Sequence, residues 1–88
     1  MKNGFLYILK DDGDHIYIGS TDDINRRIQQ HICGGTYTTR QMYNAKLVFS
    51  QNFETLEKAR KAELWLKKMK RRDYIEKIIQ DGMMHKEF

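Results

Sequence analysis

The chain begins with two short segments that alternate apolar side chains in the manner of β-strands: Gly4–Lys10 and His15–Ser20. Between them, Asp11–Gly13 has the composition of a three-residue hairpin loop whose glycine takes the left-handed conformation. Counting back from such a loop places Tyr7 directly opposite Tyr17. The sequence therefore predicts an antiparallel hairpin with two tyrosines side by side, and this feature constrains the fold more than any other.

The two faces of this hairpin differ in chemistry, because successive side chains of a strand point to opposite sides. One face is aliphatic and is the predicted core: Leu6, Ile8, Ile16 and Ile18. The other face carries aromatic residues and a glycine: Phe5, Tyr7, Tyr17 and Gly19. Cross-strand aromatic pairs commonly stabilise sheets, so the tyrosines have a structural interpretation as well as a chemical one.

A first helix is predicted after the hairpin from isoleucines at helical spacing: Ile24, Ile28 and Ile32. Thr21 or Asp22 is its predicted cap, and the pair Gly34-Gly35 is its predicted end. Residues 33–45 are rich in glycine and threonine and are expected to form an ordered loop.

A third strand and a long helix follow. The strand is predicted over Lys46–Gln51 and ends near Phe53. Thr55 then opens a helix with an apolar stripe: Leu56, Ala59, Ala62, Leu66 and Met69. This stripe is expected to pack on the aliphatic face of the hairpin.

A short last helix is predicted over Tyr74–Gln80. Asp73 with Glu76 resembles a capping box at its start, and Gly82 is expected to end it. The tail after the glycine, Met83–Phe88, is expected to be loose.

These elements predict an α+β domain with the order β-β-α-β-α-α, in which a small three-stranded antiparallel sheet is flanked by helices. The 88 residues suit one domain, with its core at about 4–81 and its tail at 82–88. There is no internal repeat or low-complexity stretch that would indicate a second unit.

Positive charge is concentrated in one stretch of the chain. The formal net charge is +4, and eight lysines and arginines lie within residues 58–72, offset nearby by Glu57 and Glu63. Such a stripe attracts polyanions, nucleic acid above all. An ordinary solvated helix face is the alternative interpretation.

Composition excludes several classes of protein. No apolar run approaches the roughly 20 residues that span a bilayer, and the start of the chain lacks the pattern of a signal peptide. A single cysteine, Cys33, excludes an internal disulfide, and His15, His31 and His85 are too scattered for a zinc site. We expect a reducing, cytoplasmic compartment, with the nucleoid as a site of association, and no membrane partner.

Two helices carry polar groups at the borders of their apolar stripes. Arg27 and His31 are four residues apart on the first helix and so lie one turn apart, although each is also ordinary as a surface residue. On the long helix, Glu63 needs a partner, because burying an unpaired charge is costly. Lys67 or Lys70 could supply that partner, and so could a bound cation.

Two phenols, a guanidinium, an imidazole and a carboxylate together suit phosphodiester cleavage. A carboxylate can hold Mg²⁺ with water and phosphate completing the coordination, and arginine stabilises the charge of the transition state. A tyrosine can take a proton from water only if its pKa, near 10 when free, is lowered by neighbouring cations. His31 could relay that proton.

In their order along the chain, these residues resemble the GIY-YIG nuclease domain family. Tyr17-Ile18-Gly19 matches the family's second motif, and Phe5-Leu6-Tyr7 matches the first motif at its tyrosine. Arg27 stands ten residues after Tyr17, as the family's helix arginine does, and His31 follows at the family's spacing. Glu63 stands where the family has its metal-binding glutamate.

Other stretches resemble the small stand-alone members, which are similar to the catalytic domain of excision nucleases. Gly35–Thr38 and Lys46–Phe49 carry this likeness. Four features depart from the family's pattern. Phe5-Leu6 replaces the Gly-Ile of the first motif, and Tyr74-Ile75 stands where several larger members have an asparagine. Ser20 stands where some repair members have a lysine, which removes one phosphate contact, and the separate DNA-binding domains of the larger relatives are not found in this sequence.

The resemblance implies hydrolysis of nucleic-acid phosphodiesters with one divalent ion, Mg²⁺ or Mn²⁺. It implies that Glu63 is the metal ligand, that Arg27 binds the phosphate, and that Tyr7 or Tyr17 activates water. Gly19 would let backbone or substrate approach closely. Basic residues are predicted to hold backbone phosphates: Lys67, Lys68, Lys70, Arg71, Arg72 and Arg40.

We therefore expect a metal-dependent endonuclease that acts on DNA, with RNA as the alternative substrate. Recognition is expected to follow the backbone or the structure of the DNA rather than its sequence, because a single module buries only about 600–1,000 Å² against nucleic acid. Specificity would then come from DNA structure, a homodimer or a protein partner. One alternative is a catalytically weak nucleic-acid-binding adaptor of the same fold, and another is an interaction domain that uses Trp65 against an acidic protein.

Overall fold

The computed structural model describes residues 3–32, 45–69 and 71–84, with the side chains of His31 and Ile32 excepted. The described elements are, in chain order, β1 (Gly4–Lys10), β2 (Ile16–Thr21), α1 (Ile24–Ile32), β3 (Lys46–Phe53), α2 (Leu56–Met69) and α3 (Arg72–Asp81). The predicted order and the α+β class are confirmed. The predicted loop lies outside the described residues except for Ala45, as do Arg40 and Lys70.

The three strands form one antiparallel sheet in the order β2-β1-β3. β1 is central, so Leu6, Ile8 and Leu9 are almost completely buried. β2 is an edge strand of this sheet. The aliphatic face of the hairpin joins α2 and α3 in one buried cluster: Leu6, Ile8, Ile18, Phe49, Ala62, Leu66, Ile75, Ile78 and Met84. Three of the four predicted core residues of the hairpin are buried in this cluster, and the fourth, Ile16, is partly buried against it. Full burial of one such large aliphatic side chain is worth about 1.5–3 kcal/mol.

The register of the hairpin differs from the prediction by two residues. Tyr7 pairs with Gly19, and Tyr17 pairs with Leu9, so the tyrosines are not directly opposite each other. A shift of two residues leaves every side chain on its original face, because the alternation has a period of two. The two phenol rings therefore still lie on one face as diagonal neighbours, with centroids 6.2 Å apart.

The cause of this shift is a five-residue loop, Asp11–His15, in place of the predicted three-residue loop. The buried Asp11 carboxylate accepts a hydrogen bond from the His15 backbone N–H at 2.6 Å and lies 3.0 Å from His15 Nδ1. Asp14, not Gly13, takes the left-handed conformation, with φ of 67°. The side chain of Asp11 thus organises a longer turn than the glycine alone indicated.

The helix starts agree only in part with the predicted caps. Asp23, not Thr21 or Asp22, caps α1 by accepting the Arg26 N–H on its Oδ1 at 3.1 Å. Thr55 caps α2 as predicted, since its Oγ1 accepts the Lys58 N–H at 3.2 Å.

The last helix, α3, is longer than predicted at both ends. It begins after Arg71, which makes no side-chain cap, and Asp73 pairs with Arg71 at 2.9 Å rather than forming a capping box. Gly82 ends the helix as predicted. It adopts φ of 81° and donates its N–H to the Ile78 carbonyl at 2.9 Å.

One further expectation about exposure is wrong. Met84, placed in the loose tail, is 2% exposed, and its N–H donates to Gln51 Oε1 at 2.8 Å. Trp65, which the interaction-domain alternative uses, is partly buried, and its ring packs edge-on against Tyr74 with centroids 5.5 Å apart. Within the part of the chain that the structure describes, no helix has both the length and the apolarity needed to cross a membrane.

Candidate active site

Tyr7, Tyr17 and Arg27 form the first of two polar groups. Tyr7 projects from the central strand and is completely buried, although its hydroxyl is polar. Arg27 reaches it from α1, and the Arg27 Nε–H donates to the Tyr7 hydroxyl oxygen at 3.3 Å. The tyrosine ring of the edge strand, Tyr17, is half-buried beside them. The structure thus brings together three of the five predicted catalytic residues.

Gly19 makes room for the Tyr7 ring. A Cβ built on Gly19 would fall 2.5 Å from Tyr7 Cζ, a distance that real side chains do not tolerate. Gly19 was predicted to leave space for backbone or substrate. That space is filled by Tyr7 of the same chain, which pairs with Gly19 in the sheet. Any side chain at position 19 would displace the ring that accepts the Arg27 hydrogen bond.

The protonation of Tyr7 is shifted by its surroundings. Burial raises the pKa of Tyr7 to about 12, and the hydrogen bond from Arg27 only partly opposes this effect. The contact with Tyr7 in turn raises the pKa of the Arg27 guanidinium. At pH 7 only about one Tyr7 in 10⁵ is ionised at such a pKa, so the hydroxyl meets Arg27 as a neutral acceptor.

Glu63, Ser20 and Lys67 form the second polar group. The Ser20 hydroxyl on β2 donates to Glu63 Oε1 at 2.5 Å, and Lys67 Nζ lies 2.6 Å from Glu63 Oε2. The Glu63 side chain on α2 is 18% exposed, so it still reaches solvent. Of the partners that the sequence left open for this carboxylate, Lys67 is observed, and Lys70 lies outside the described residues. Ser20 was missed, because the sequence marks it only as the residue after the tyrosine motif.

The two polar groups lie on opposite faces of the edge strand β2. Tyr17 and Gly19 point to one side, and Ser20, the next residue, points to the other, where α2 packs. The predicted catalytic residues therefore do not converge on one sheet surface. A substrate that contacts both groups must lie along the edge of β2.

The side chain of His31 lies outside the described residues, although its backbone belongs to α1. Its predicted role as a proton relay stays a prediction.

The residues beside Glu63 can be compared with the needs of a metal ion. Among the described residues, no group of three or more histidine, cysteine, aspartate or glutamate side chains could form a metal cage. Glu63 and the Ser20 hydroxyl line an open pocket of about 310 Å³ together with Arg60 and Leu64. Mg²⁺ is commonly held by one or two carboxylates, with water and substrate phosphate as its other ligands. This donor set fits one hard divalent cation that shares its coordination with a substrate.

The predicted phosphate-binding residues differ in how far they are engaged. Arg71 pairs with Asp73, and Arg72 lies 2.7 Å from Asp14 and 3.1 Å from Glu76. Lys67 pairs with Glu63, whereas Lys68 has no ion pair within the described ranges. Exposed ion pairs contribute only about 0–1 kcal/mol, so a phosphate can compete for these cations.

The chain is similar to several known proteins. The sequence model of the GIY-YIG catalytic domain family matches residues 3–77. A UPF0213 protein of Cupriavidus necator is 36% identical over 66 residues, which cover 74% of this chain and 72% of the relative. The UPF0213 protein YazA of Bacillus subtilis is 33% identical over 72 residues, covering 81% and 73%. The solution NMR structure of a UPF0213 protein of Bacillus halodurans has a TM-score of 0.57 at 32% identity, covering 91% of this chain and 86% of that one.

Proposed function

The chain belongs to the GIY-YIG catalytic domain family, whose members are nucleases, and on that premise we propose that it is a metal-dependent endonuclease that hydrolyses DNA phosphodiester bonds. The proposal rests on one observation: an arginine–tyrosine group and a carboxylate lie on opposite sides of the same strand. Arg27 contacts Tyr7 on one face of β2, and Glu63 is held by Ser20 on the other. The edge of β2 is the proposed path of the scissile strand.

Arg27 is the proposed phosphate-binding residue. Its guanidinium carries a permanent positive charge, and arginine recognises phosphate oxygens with charge-assisted hydrogen bonds. Tyr7 supports this role by accepting the Arg27 Nε–H, which fixes the direction of the guanidinium. Because its own pKa is raised, Tyr7 is poorly suited to take a proton at neutral pH.

Tyr17 is the proposed water-activating phenol. It lies on the edge strand, is half-buried rather than fully buried, and sits beside the Arg27 guanidinium. Unlike Tyr7, which is completely buried, the Tyr17 ring is partly open to solvent water.

Glu63 is the proposed ligand of a Mg²⁺ or Mn²⁺ ion. When bound, such an ion withdraws charge from the phosphate and from the leaving oxygen. Ser20 holds one Glu63 oxygen in a fixed direction, and Lys67 neutralises the other oxygen in the absence of a divalent ion. We propose that the Lys67 ammonium moves away when the cation and the substrate bind.

Recognition is proposed to follow the structure of the DNA and not its base sequence. The described surface beside Glu63 offers charged groups and an open pocket, which suit phosphate contacts. Phosphate contacts position a nucleic acid without reading bases, and so a homodimer or a protein partner would supply any further specificity. Such a substrate would place the protein in the cytoplasm or at the nucleoid.

A panel of labelled nucleic acids tests this proposal: single-stranded, duplex, flapped and four-way DNA, and RNA. Each is incubated with Mg²⁺, Mn²⁺ or a chelator. We expect internal cleavage of at least one DNA form that depends on the divalent ion. Absence of cleavage across the whole panel, with binding retained, would replace the proposal by its alternative.

That alternative is a nucleic-acid-binding adaptor of the same fold that cleaves weakly. The observation that favours it is the 2.6 Å ion pair between Lys67 and Glu63, which gives the carboxylate an internal cation. The two functions differ in whether a divalent ion can replace that lysine.

A further inference from the structure

Arg60 lies in the Glu63 pocket and has no part in the function proposed above. It lines the open pocket of about 310 Å³ with Ser20, Glu63 and Leu64. Arg60 precedes Glu63 by three residues on α2, so the two side chains leave the helix from the same side, about 4.5 Å apart along its axis.

Arg60 differs from three of the four other cations of α2 in having no carboxylate partner among the described residues. Three lysines of this helix each pair with the glutamate four residues before them: Lys58 with Glu54, Lys61 with Glu57, and Lys67 with Glu63. The glutamates three residues before and after Arg60 are the ones that pair with Lys61 and Lys67, and the residues at four, Leu56 and Leu64, carry no charge. Among the described residues, no ion pair neutralises the exposed Arg60 guanidinium.

Arg60 also begins a line of three residues along the exposed side of α2. Arg60, Leu64 and Lys68 follow one another at intervals of four, which places them on one face of the helix. Leu64 is 65% exposed, which is unusual for a large apolar side chain, and Lys68 has no ion pair within the described ranges. Two cations that make no ion pair with the described residues thus lie on either side of Glu63, with an apolar residue between them.

The length of this line suits a nucleic-acid strand. Arg60 and Lys68 are about 12 Å apart along the helix axis. One strand of duplex DNA presents a phosphate about every 3.4 Å of its axis, so the two cations reach different phosphates. An arginine beside a carboxylate that holds a cation can bind a flanking phosphate with two hydrogen bonds.

We propose that Arg60 binds a phosphate flanking the cleaved bond, on the opposite side of Glu63 from Lys68, so that the DNA strand runs along α2 with a sugar against Leu64. This inference rests on the proposed nuclease function and deepens it by giving the direction and the footprint of the bound strand. Arg60 binds substrate and takes no part in proton transfer.

Substitution of Arg60 by glutamine, with Lys61→Gln as the matched control, tests this role. Both residues are exposed on α2 and carry one positive charge, but Lys61 pairs with Glu57 and does not line the pocket. We expect Arg60→Gln to raise the Kd for the cleaved DNA about 5- to 10-fold and to reduce the slope of log Kd against log salt by about one. Lys61→Gln should change both less than 2-fold, and Arg60→Lys should recover part of the affinity.

A neutral methylphosphonate, placed singly at each phosphate around the mapped cleavage position, locates the contact. For the wild-type protein, one flanking position should weaken binding about 5-fold, and that position should lose its effect in Arg60→Gln. If Arg60→Gln retains the wild-type pattern while the wild-type protein binds and cleaves, the inference is wrong and the proposed function stands. If the wild-type protein neither binds nor cleaves any DNA, the proposed function fails and this inference fails with it.

Discussion

The Ser20 hydroxyl donates a hydrogen bond to Glu63 Oε1 at 2.5 Å, across 43 residues of sequence. This bond joins the edge strand β2 to the helix α2 and fixes the direction of the carboxylate. The residue before Ser20 on β2 is Gly19, against which the Tyr7 ring packs. The two halves of the candidate site are therefore coupled through consecutive residues of β2.

Replacing Ser20 by alanine should loosen Glu63 without unfolding the domain. A hydrogen bond to a charged group contributes about 1.5–3 kcal/mol when buried, and the partial exposure of Glu63 reduces this to about 1 kcal/mol. We expect the Mg²⁺ concentration for half-maximal cleavage to rise several-fold. Urea unfolding and a Mg²⁺ titration measure the two effects, with the exposed Ser50→Ala as control. A variant that matches wild type in both would show that the bond does not orient the carboxylate.

Replacing Lys67 by glutamine should help the divalent ion to bind. The Lys67 ammonium competes for Glu63, so its removal should lower the half-maximal Mg²⁺ concentration about 2- to 5-fold. The matched control is Lys61→Gln, which breaks a similar pair with Glu57. Stability should change by less than about 1 kcal/mol in either variant. A higher Mg²⁺ requirement for Lys67→Gln would mean that this lysine assists the site instead of competing for it.

Alanine at Gly19 should damage the arginine–tyrosine group. The added Cβ would meet the Tyr7 ring, and forcing such a group into a packed site costs about 1–3 kcal/mol. We expect a lower melting temperature and a fall in the saturated cleavage rate. In a double variant with Tyr7→Leu, which removes the ring that is hit, the extra stability cost of alanine should largely disappear. If the stability costs of the two substitutions add, the strain caused by the alanine does not come from the Tyr7 ring.

The raised pKa of Tyr7 predicts a specific loss of stability in alkali. Unfolded tyrosine ionises near pH 10, whereas folded Tyr7 keeps its proton to about pH 12. Between these values the unfolded state has lost a proton that the folded state retains, so stability falls as pH rises. The cost is on the order of 2 kcal/mol by pH 12. Unfolding by urea at pH 8–12 should show a steeper fall for wild type than for Tyr7→Phe, and parallel curves would refute the assignment.

Local patterns in the sequence predicted most of the elements. Alternation in β1 and β2 identified the aliphatic face, and isoleucines at helical spacing identified α1, because both patterns repeat within a single element. The register of the hairpin was wrong, since it depends on the Asp11 side chain binding the His15 backbone inside the loop. That contact decides between alternative turn geometries, and no repeating pattern in the sequence indicates it.

The candidate site was predicted as a set of residues but not as an arrangement. The contact of Arg27 with Tyr7 was not predicted, and Ser20 and Arg60 were not expected at the site. Both owe their position to the packing of α2 against β2, a long-range contact that no spacing along the chain encodes. The separation of Glu63 from the tyrosines by a strand has the same origin.

The central claim is that Glu63 supports metal-dependent cleavage of DNA. Its most direct test is single-turnover cleavage, in saturating Mg²⁺, of whichever DNA form wild type cuts, by wild type and Glu63→Gln, with the affinity for the same DNA measured alongside. We predict that Glu63→Gln lowers the cleavage rate at least 100-fold and changes the affinity in the absence of the ion less than 3-fold. Equal cleavage rates for wild type and Glu63→Gln would contradict the account.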